Sequence, residues 1–475
     1  MRLKSGLRAL ALALVSALTL GLISGCGSSS GGNSSSSGGS GASAGASSSA
    51  SATGGPGLGS SYDVAKAGKS TLTIWWLGNQ EIPGIESWMK QAIATFEKLH
   101  PTVTVNTVLQ STDTYTTTQK TACKSGTGPD IWYNWGGTWS LEQAWPGCVV
   151  PNEAVLSPED LKPVPAIAGT KWAGHTWVYP IEQRLYPIIY NKDLFAKAHI
   201  TGTPSTWTEF LADLQKLKGA GSQPLVTGLK DGFGGENLAV AIQRQVLSVP
   251  NLIQSVVDGK MSSAAWKQWL DAAYQLKPYF NNDTNSITYS QGLARFQSGK
   301  AAMIFASPGW QQTVIGMNSQ GKHVGIFKVP TYTSDPRAQQ LYEDTPGFQV
   351  TKFAHNPKLA GAFLAFLHTP AEMNALYEST GDIPSDTRWH PTRYKSPTDA
   401  QLVNWLKAGI DYYSANYYPT DVDTNGNFVV FQGMYGGNMT VSQALSTYQT
   451  QISKWRQLQS GELQDYQEWL KDYGH

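Results

Sequence analysis

Between residues 71 and 134 the chain alternates apolar runs of two different periods, and that alternation limits the possible architectures more than any other feature of its 475 residues. Residues 71–77 (TLTIWWL) form a β-rich run that ends at Gly78. Residues 86–99 carry Trp88, Met89, Ala92, Ile93 and Phe96 at helical spacing, and His100-Pro101 closes that helix. VTVNTVL at 103–109 alternates as a strand, and 113–124 predicts a helix capped by Thr112 or Asp113. Gly128-Pro129-Asp130 opens a further strand, 131–134. Strand, helix, strand, helix, strand is the pattern of a parallel α/β sheet. Ligands of such sheets sit beyond the carboxyl ends of the strands. Here those ends are Leu77-Gly78-Asn79-Gln80 and Asn134-Trp135-Gly136-Gly137, polar or aromatic and glycine-rich.

The N-terminus reads as an export signal. Arg2, Lys4 and Arg8 precede an apolar run over 9–23, too short for a comfortable membrane span. Ile23-Ser24-Gly25-Cys26 resembles a bacterial lipobox, which predicts a signal over 1–26 and a lipid on Cys26; the plainer alternative is an ordinary signal that happens to hold a cysteine. Residues 27–61 are almost wholly Ser, Gly, Ala and Thr and cannot bury enough apolar surface to fold. As a coil such a segment spans roughly 30 Å. The expected location is the outer face of the cell membrane, with the protein tethered there through Cys26.

From about Tyr62 onward the chain is too long for one ordinary core, so two lobes are expected. The net charge of +1 includes three cations of the signal, which argues against nucleic acid as a ligand. With Cys26 lipidated, Cys123 and Cys148 remain as an even pair, expected as a disulfide; two free buried thiols are the alternative. No cysteine or histidine spacing suggests a metal, and no cofactor is expected. The 17 Trp and 21 Tyr exceed what cores ordinarily need and cluster near chain turns. Flat apolar faces lining a cleft suit the C–H faces of sugars.

LTIWW, a helix ending TFEKLHP, then VTV and GTGPDIW together resemble the sugar-binding proteins of ABC importers, the maltose-binding-like family 1 of extracellular solute-binding proteins. The resemblance continues in family order through YPIEQRLYPIIYNKDLF at 179–195, FQSGKAAMIFASPGW at 296–310, VGIFKVP at 324–330, GFQVTKFAHNPKLAGAFLAFL at 347–367 and the Gly381-Asp382-Ile383-Pro384-Ser385 turn. It implies a class II periplasmic-binding-protein-like α/β fold, with a ligand cleft between two lobes joined by hinge strands. Lobe 1 is expected over 62–186 and 331–375, and lobe 2 over 187–330 and 376–475. The implied partners are a carbohydrate and the permease's transmembrane subunits, and a monomer is expected.

The resemblance and the strand ends nominate ligand contacts. Trp76, Asn79 and Gln80 follow the first strand; Trp75 is assigned to the core and Trp76 to the ligand, while Asn79 and Gln80 have a turn role as their alternative. Trp135 and Trp139 flank Gly136-Gly137, and one of the two is expected to pack. Glu182 either accepts sugar hydroxyls or forms a surface pair with Arg184, itself a candidate. Trp310 resembles the family's stacking platform, with core packing as the alternative. Asp344, before Pro346-Gly347, is a hydroxyl contact or a loop acid, and Tyr435 closes the cleft from the second lobe. No residue is assigned to catalysis. The rival readings are the same fold holding a polyol, phosphodiester or peptide, and a glycoside hydrolase, which needs two carboxylates at a set separation. Outside the Ser/Gly segment, where no strand-to-helix elbow is expected, the chain has no G-x-S-x-G, and it has no P-loop or H-E-x-x-H motif.

Overall fold

The computed structural model describes residues 59–164, 170–306 and 308–473. The signal, Cys26 and all but the end of the Ser/Gly segment lie outside the described residues. Residues 59–61, read as the last of the tether, instead belong to the folded body. Gly59 N donates to Val155 O at 2.9 Å and Ser60 N to the Asp160 carboxylate at 2.8 Å.

Two hydrophobic cores account for the folded chain. The first is built on a five-stranded sheet. Its strand Ser70–Trp76 pairs in parallel with Val103–Leu109 and with Ile131–Asn134. Gly347–Val350 then adds antiparallel to Ile131–Asn134, and Tyr179–Pro180 closes the edge. Helix Ile85–Leu99 packs on this sheet through Trp88, Met89, Ala92 and Phe96, the stripe visible in the sequence. The second core surrounds a four-stranded sheet of Val324–Phe327, Ile188–Asn191, Ala301–Phe305 and Gln223–Leu225, with most of the remaining helices.

A third sheet joins the two. Its strands are Ile383–Pro384, Glu182–Leu185, Leu341–Asp344 and Ile410–Tyr412. Glu182–Leu185 lies in sequence between Tyr179–Pro180 of the first sheet and Ile188–Asn191 of the second. Leu341–Asp344 makes the return passage between Val324–Phe327 and Gly347–Val350. These crossings run antiparallel side by side, Asp344 opposite Arg184 and Glu343 opposite Leu185. Paired crossings bend as a unit rather than flop.

The expected boundary at 375 falls inside helix Pro370–Thr380, whose Met373, Leu376 and Tyr377 sit in the first core. Ile383 and Trp389 join them, so 376–389 packs with the first core rather than the second. The physical reason is the contact with helix Ile85–Leu99, where Trp88 Nε1 donates to Glu372 O at 3.0 Å. Cys123 and Cys148 are bonded to each other, their Cα atoms 5.4 Å apart.

Candidate functional site

The ends of the first and third strands and the joining sheet meet at Arg184. Arg184 is buried, and its guanidinium is shared among three carboxylates. Nη1 lies 2.5 Å from Glu81 Oε1 and 3.6 Å from Asp344 Oδ2; Nη2 lies 2.6 Å from Glu182 Oε1 and donates to Tyr133 OH at 3.0 Å. Nε also donates to Glu182 Oε1, at 3.1 Å. Burial opposes the Arg184 charge, but the groups around it outweigh burial and hold the guanidinium above its usual range. Asp344 accepts from Gly136 N at 3.2 Å and from Asn416 Nδ2 at 2.6 Å. Burial still pushes its carboxyl up to about 6 despite Arg184 and these two donors. Glu343, on the same strand, is pushed up to about 8, first by burial and then by Asp344, and its Oε2 has no partner among the described residues. Burial and the neighbouring Glu182 raise Asp382.

The aromatic part of the site is the loop after strand Ile131–Asn134. Asn134 holds it in place: its Nδ2 donates to Trp139 O at 2.8 Å and its Oδ1 accepts from Trp135 N at 3.0 Å. Trp135 and Trp139 are half-buried, with rings edge to face at 5.0 Å. Trp135 Nε1 donates to Glu81 Oε1 at 2.8 Å, which couples the ring pair to the charge cluster. Gly137 has φ +64°, and a Cβ there would lie 2.0 Å from Asn416 O. The glycine therefore admits the protein's own 414–418 segment, where Thr138 Oγ1 donates to Tyr418 O at 2.5 Å.

Of the nominated residues, the structure brings together Trp135, Trp139, Glu182, Arg184 and Asp344. Glu182 does pair with Arg184, but the pair is buried rather than on the surface, because both side chains lie under the joining sheet and the first-strand turn. The others are corrected. Trp76 is buried in the first core beside Leu72 and Ile74, and Trp75 is the half-exposed one. Asn79 Oδ1 accepts from Gly84 N and Glu86 N, fixing the turn that starts helix Ile85–Leu99. Gln80 Nε2 donates to Gln110 O at 3.0 Å, also a turn role. Trp310 is 1% exposed, and its indole N–H is spent on Leu185 O at 2.9 Å, so no ring face is open for stacking. Tyr435 is buried in the second core against Phe280, with its OH donating to Ala273 O.

The sequence reading missed Glu81, Tyr133, Thr345 and Asn416. For Glu81 the signal was present, since it directly follows Gln80 in the turn after the first strand. Among the described residues no group of three or more His, Cys, Asp or Glu is placed to hold a metal ion, and no helix is long and apolar enough to cross a membrane.

A protein of Brucella abortus (strain 2308) named as a binding protein is 27% identical over 172 residues, a match covering 35% of this chain. It spans 40% of that relative's length. Two solved structures share the fold. A chitin oligosaccharide binding protein matches with TM-score 0.70 and 19% identity, over 81% of this chain and 98% of its own. A maltotriose binding protein of Thermus thermophilus, bound with maltotriose, matches with TM-score 0.62 and 17% identity, over 81% of this chain and 99% of its own. Both are two-lobed, as this chain is. The family model for bacterial extracellular solute-binding proteins matches residues 81–374, and the chain belongs to that family.

Proposed function

We propose that this protein is the receptor of an ABC importer. It captures a mono- or oligosaccharide between its two lobes and delivers it to the permease, held at the outer membrane face through Cys26. The observation that carries the reading is the half-exposed Trp135–Trp139 pair, tied through the Trp135 indole to Glu81 and so to Arg184 and the joining strands. Rings that stack on sugar C–H faces then stand beside groups that bond hydroxyls, at the strand ends where two lobes close. Contact with both lobes favours the closed form, and the permease reads the loaded state. The solved structures named above bind oligosaccharides, which supports the sugar assignment.

The protein is read as a binder, not a hydrolase. Glu182 and Asp344, the carboxylates that hydrolysis would need, both pair with Arg184 rather than face each other across an open gap. The test is thermal shift against sugars, polyols, amino acids and short peptides. A selective rise with one sugar class is the expected result. A rise only with a polyol or peptide overturns the sugar assignment, and reducing ends released from an oligosaccharide overturn the non-catalytic one.

A further inference from the structure

The charges at the site do not balance. Among the described residues, the ion pairs of Glu81, Glu182 and Asp344 all go to one cation, Arg184. Arg184 has little left to offer a ligand, since Nε and Nη2 go to Glu182 and Tyr133 and Nη1 to Glu81 and Asp344. An anionic ligand would therefore meet carboxylates and a guanidinium already engaged.

Two further observations point outward from the cluster. Thr345 Oγ1 belongs to a residue 2% exposed and has no hydrogen-bond partner among the described residues. It and Asp344 Oδ1 converge on Gly136, at 2.7 and 3.3 Å from the point where a Cβ would sit. Glu81, at the edge of the cluster, takes both its bonds on Oε1, and its Oε2 accepts none from the described residues. Beside it stands the half-exposed Trp135–Trp139 pair, the Trp135 indole edge donating to Glu81. A carboxylate next to half-exposed aromatic rings is the chemistry that recognises an ammonium group.

We infer that the cleft takes a saccharide bearing a protonated amine, with the ammonium held by Glu81 and Asp344 beside the Trp135–Trp139 rings and a hydroxyl on Thr345. This rests on the carbohydrate reading above and narrows it. The amine supplies the missing positive charge. It also gives the surplus carboxylates a partner that Arg184 alone is not.

The test is calorimetry on the purified full-length protein at pH 6.5. The probes are oligomers of glucosamine, the matched N-acetylglucosamine oligomers, galacturonic acid oligomers and free putrescine. The glucosamine oligomer is expected to bind at least tenfold tighter than its acetylated match. Glu81→Gln is expected to shrink that preference to threefold or less while the acetylated sugar still binds, and a preference unchanged in Glu81→Gln overturns the assignment to that residue. Equal or tighter binding of the acetylated or the acidic oligomer overturns the inference and leaves the carbohydrate receptor standing. Binding of putrescine with no sugar overturns both, and binding of no probe overturns the inference while the thermal-shift panel decides the carbohydrate reading.

Discussion

Arg184 Nη1 stands 2.5 Å from Glu81 Oε1, so the cation of a strand that joins the two cores is paired with the turn that ends the first strand. Arg184→Met removes the one cation that, among the described residues, pairs with Glu81, Glu182 and Asp344. Breaking a buried pair from one side costs about 3–5 kcal/mol. Urea unfolding at pH 7.5 is expected to show a loss of that size. A loss under about 1 kcal/mol at pH 7.5 would mean that the cluster is not buried as described.

The carboxyls on strand Leu341–Asp344 give stability a pH slope. Burial holds Asp344 at about 6 and Glu343 at about 8, above the ordinary range of exposed acids. Each binds its proton more tightly folded than unfolded. The stability this gives is fully present below about pH 4 and is lost as pH rises through 6 for Asp344 and 8 for Glu343. Glu343→Gln is expected to flatten the pH 5–9 profile and to gain up to about 4 kcal/mol over the parent at pH 9. An unchanged slope would mean that Glu343 is solvated.

Trp310→Ala distinguishes a platform from a core residue. With its indole buried and bonded to Leu185 O, the substitution is expected to cost about 3–5 kcal/mol in the empty protein and several degrees in midpoint. A variant that melts like the parent but binds sugar tenfold more weakly would restore the stacking role expected from the sequence.

Trp135→Ala is expected to do the reverse. The ring is half-exposed, so midpoint changes stay small, while sugar affinity falls tenfold or more. Unchanged affinity, read by calorimetry with whichever sugar the thermal-shift panel selects, would remove Trp135 from the site.

Reduction probes the Cys123–Cys148 bond, which encloses strand Ile131–Asn134 and the Trp135–Trp139 loop within a separation of 25 residues. Closing such a loop contributes about 3 kcal/mol. Cys123→Ser/Cys148→Ser is expected to lower unfolding stability by that amount.

Much of the fold was legible because period and punctuation are local. The strands Val103–Leu109 and Ile131–Asn134 lie where alternation and the Gly-Pro-Asp opening put them. The order of the third sheet was not readable, because it pairs strands nearly two hundred residues apart, such as Glu182–Leu185 with Ile383–Pro384. The inversion of Trp75 and Trp76 was avoidable. Leu72, Ile74 and Trp76 share one parity, and the strand's two aliphatic residues mark that face as the core. Asn79 misled for a different reason. An Asn after a strand suits a hydroxyl and a helix start equally well, and only the position of Gly84 and Glu86 decides between them. Trp310 could not be resolved from composition at all, since the Leu185 carbonyl that takes its proton lies 125 positions away.

That last bond has a practical corollary. An indole whose N–H is fastened to the backbone of the Glu182–Leu185 crossing shares whatever that crossing undergoes. Flexing of the crossing alters the length of the bond and the dipole the ring feels, and both tune its emission. The difference in stopped-flow emission between the parent and Trp310→Phe would isolate that ring's signal among the 17 tryptophans.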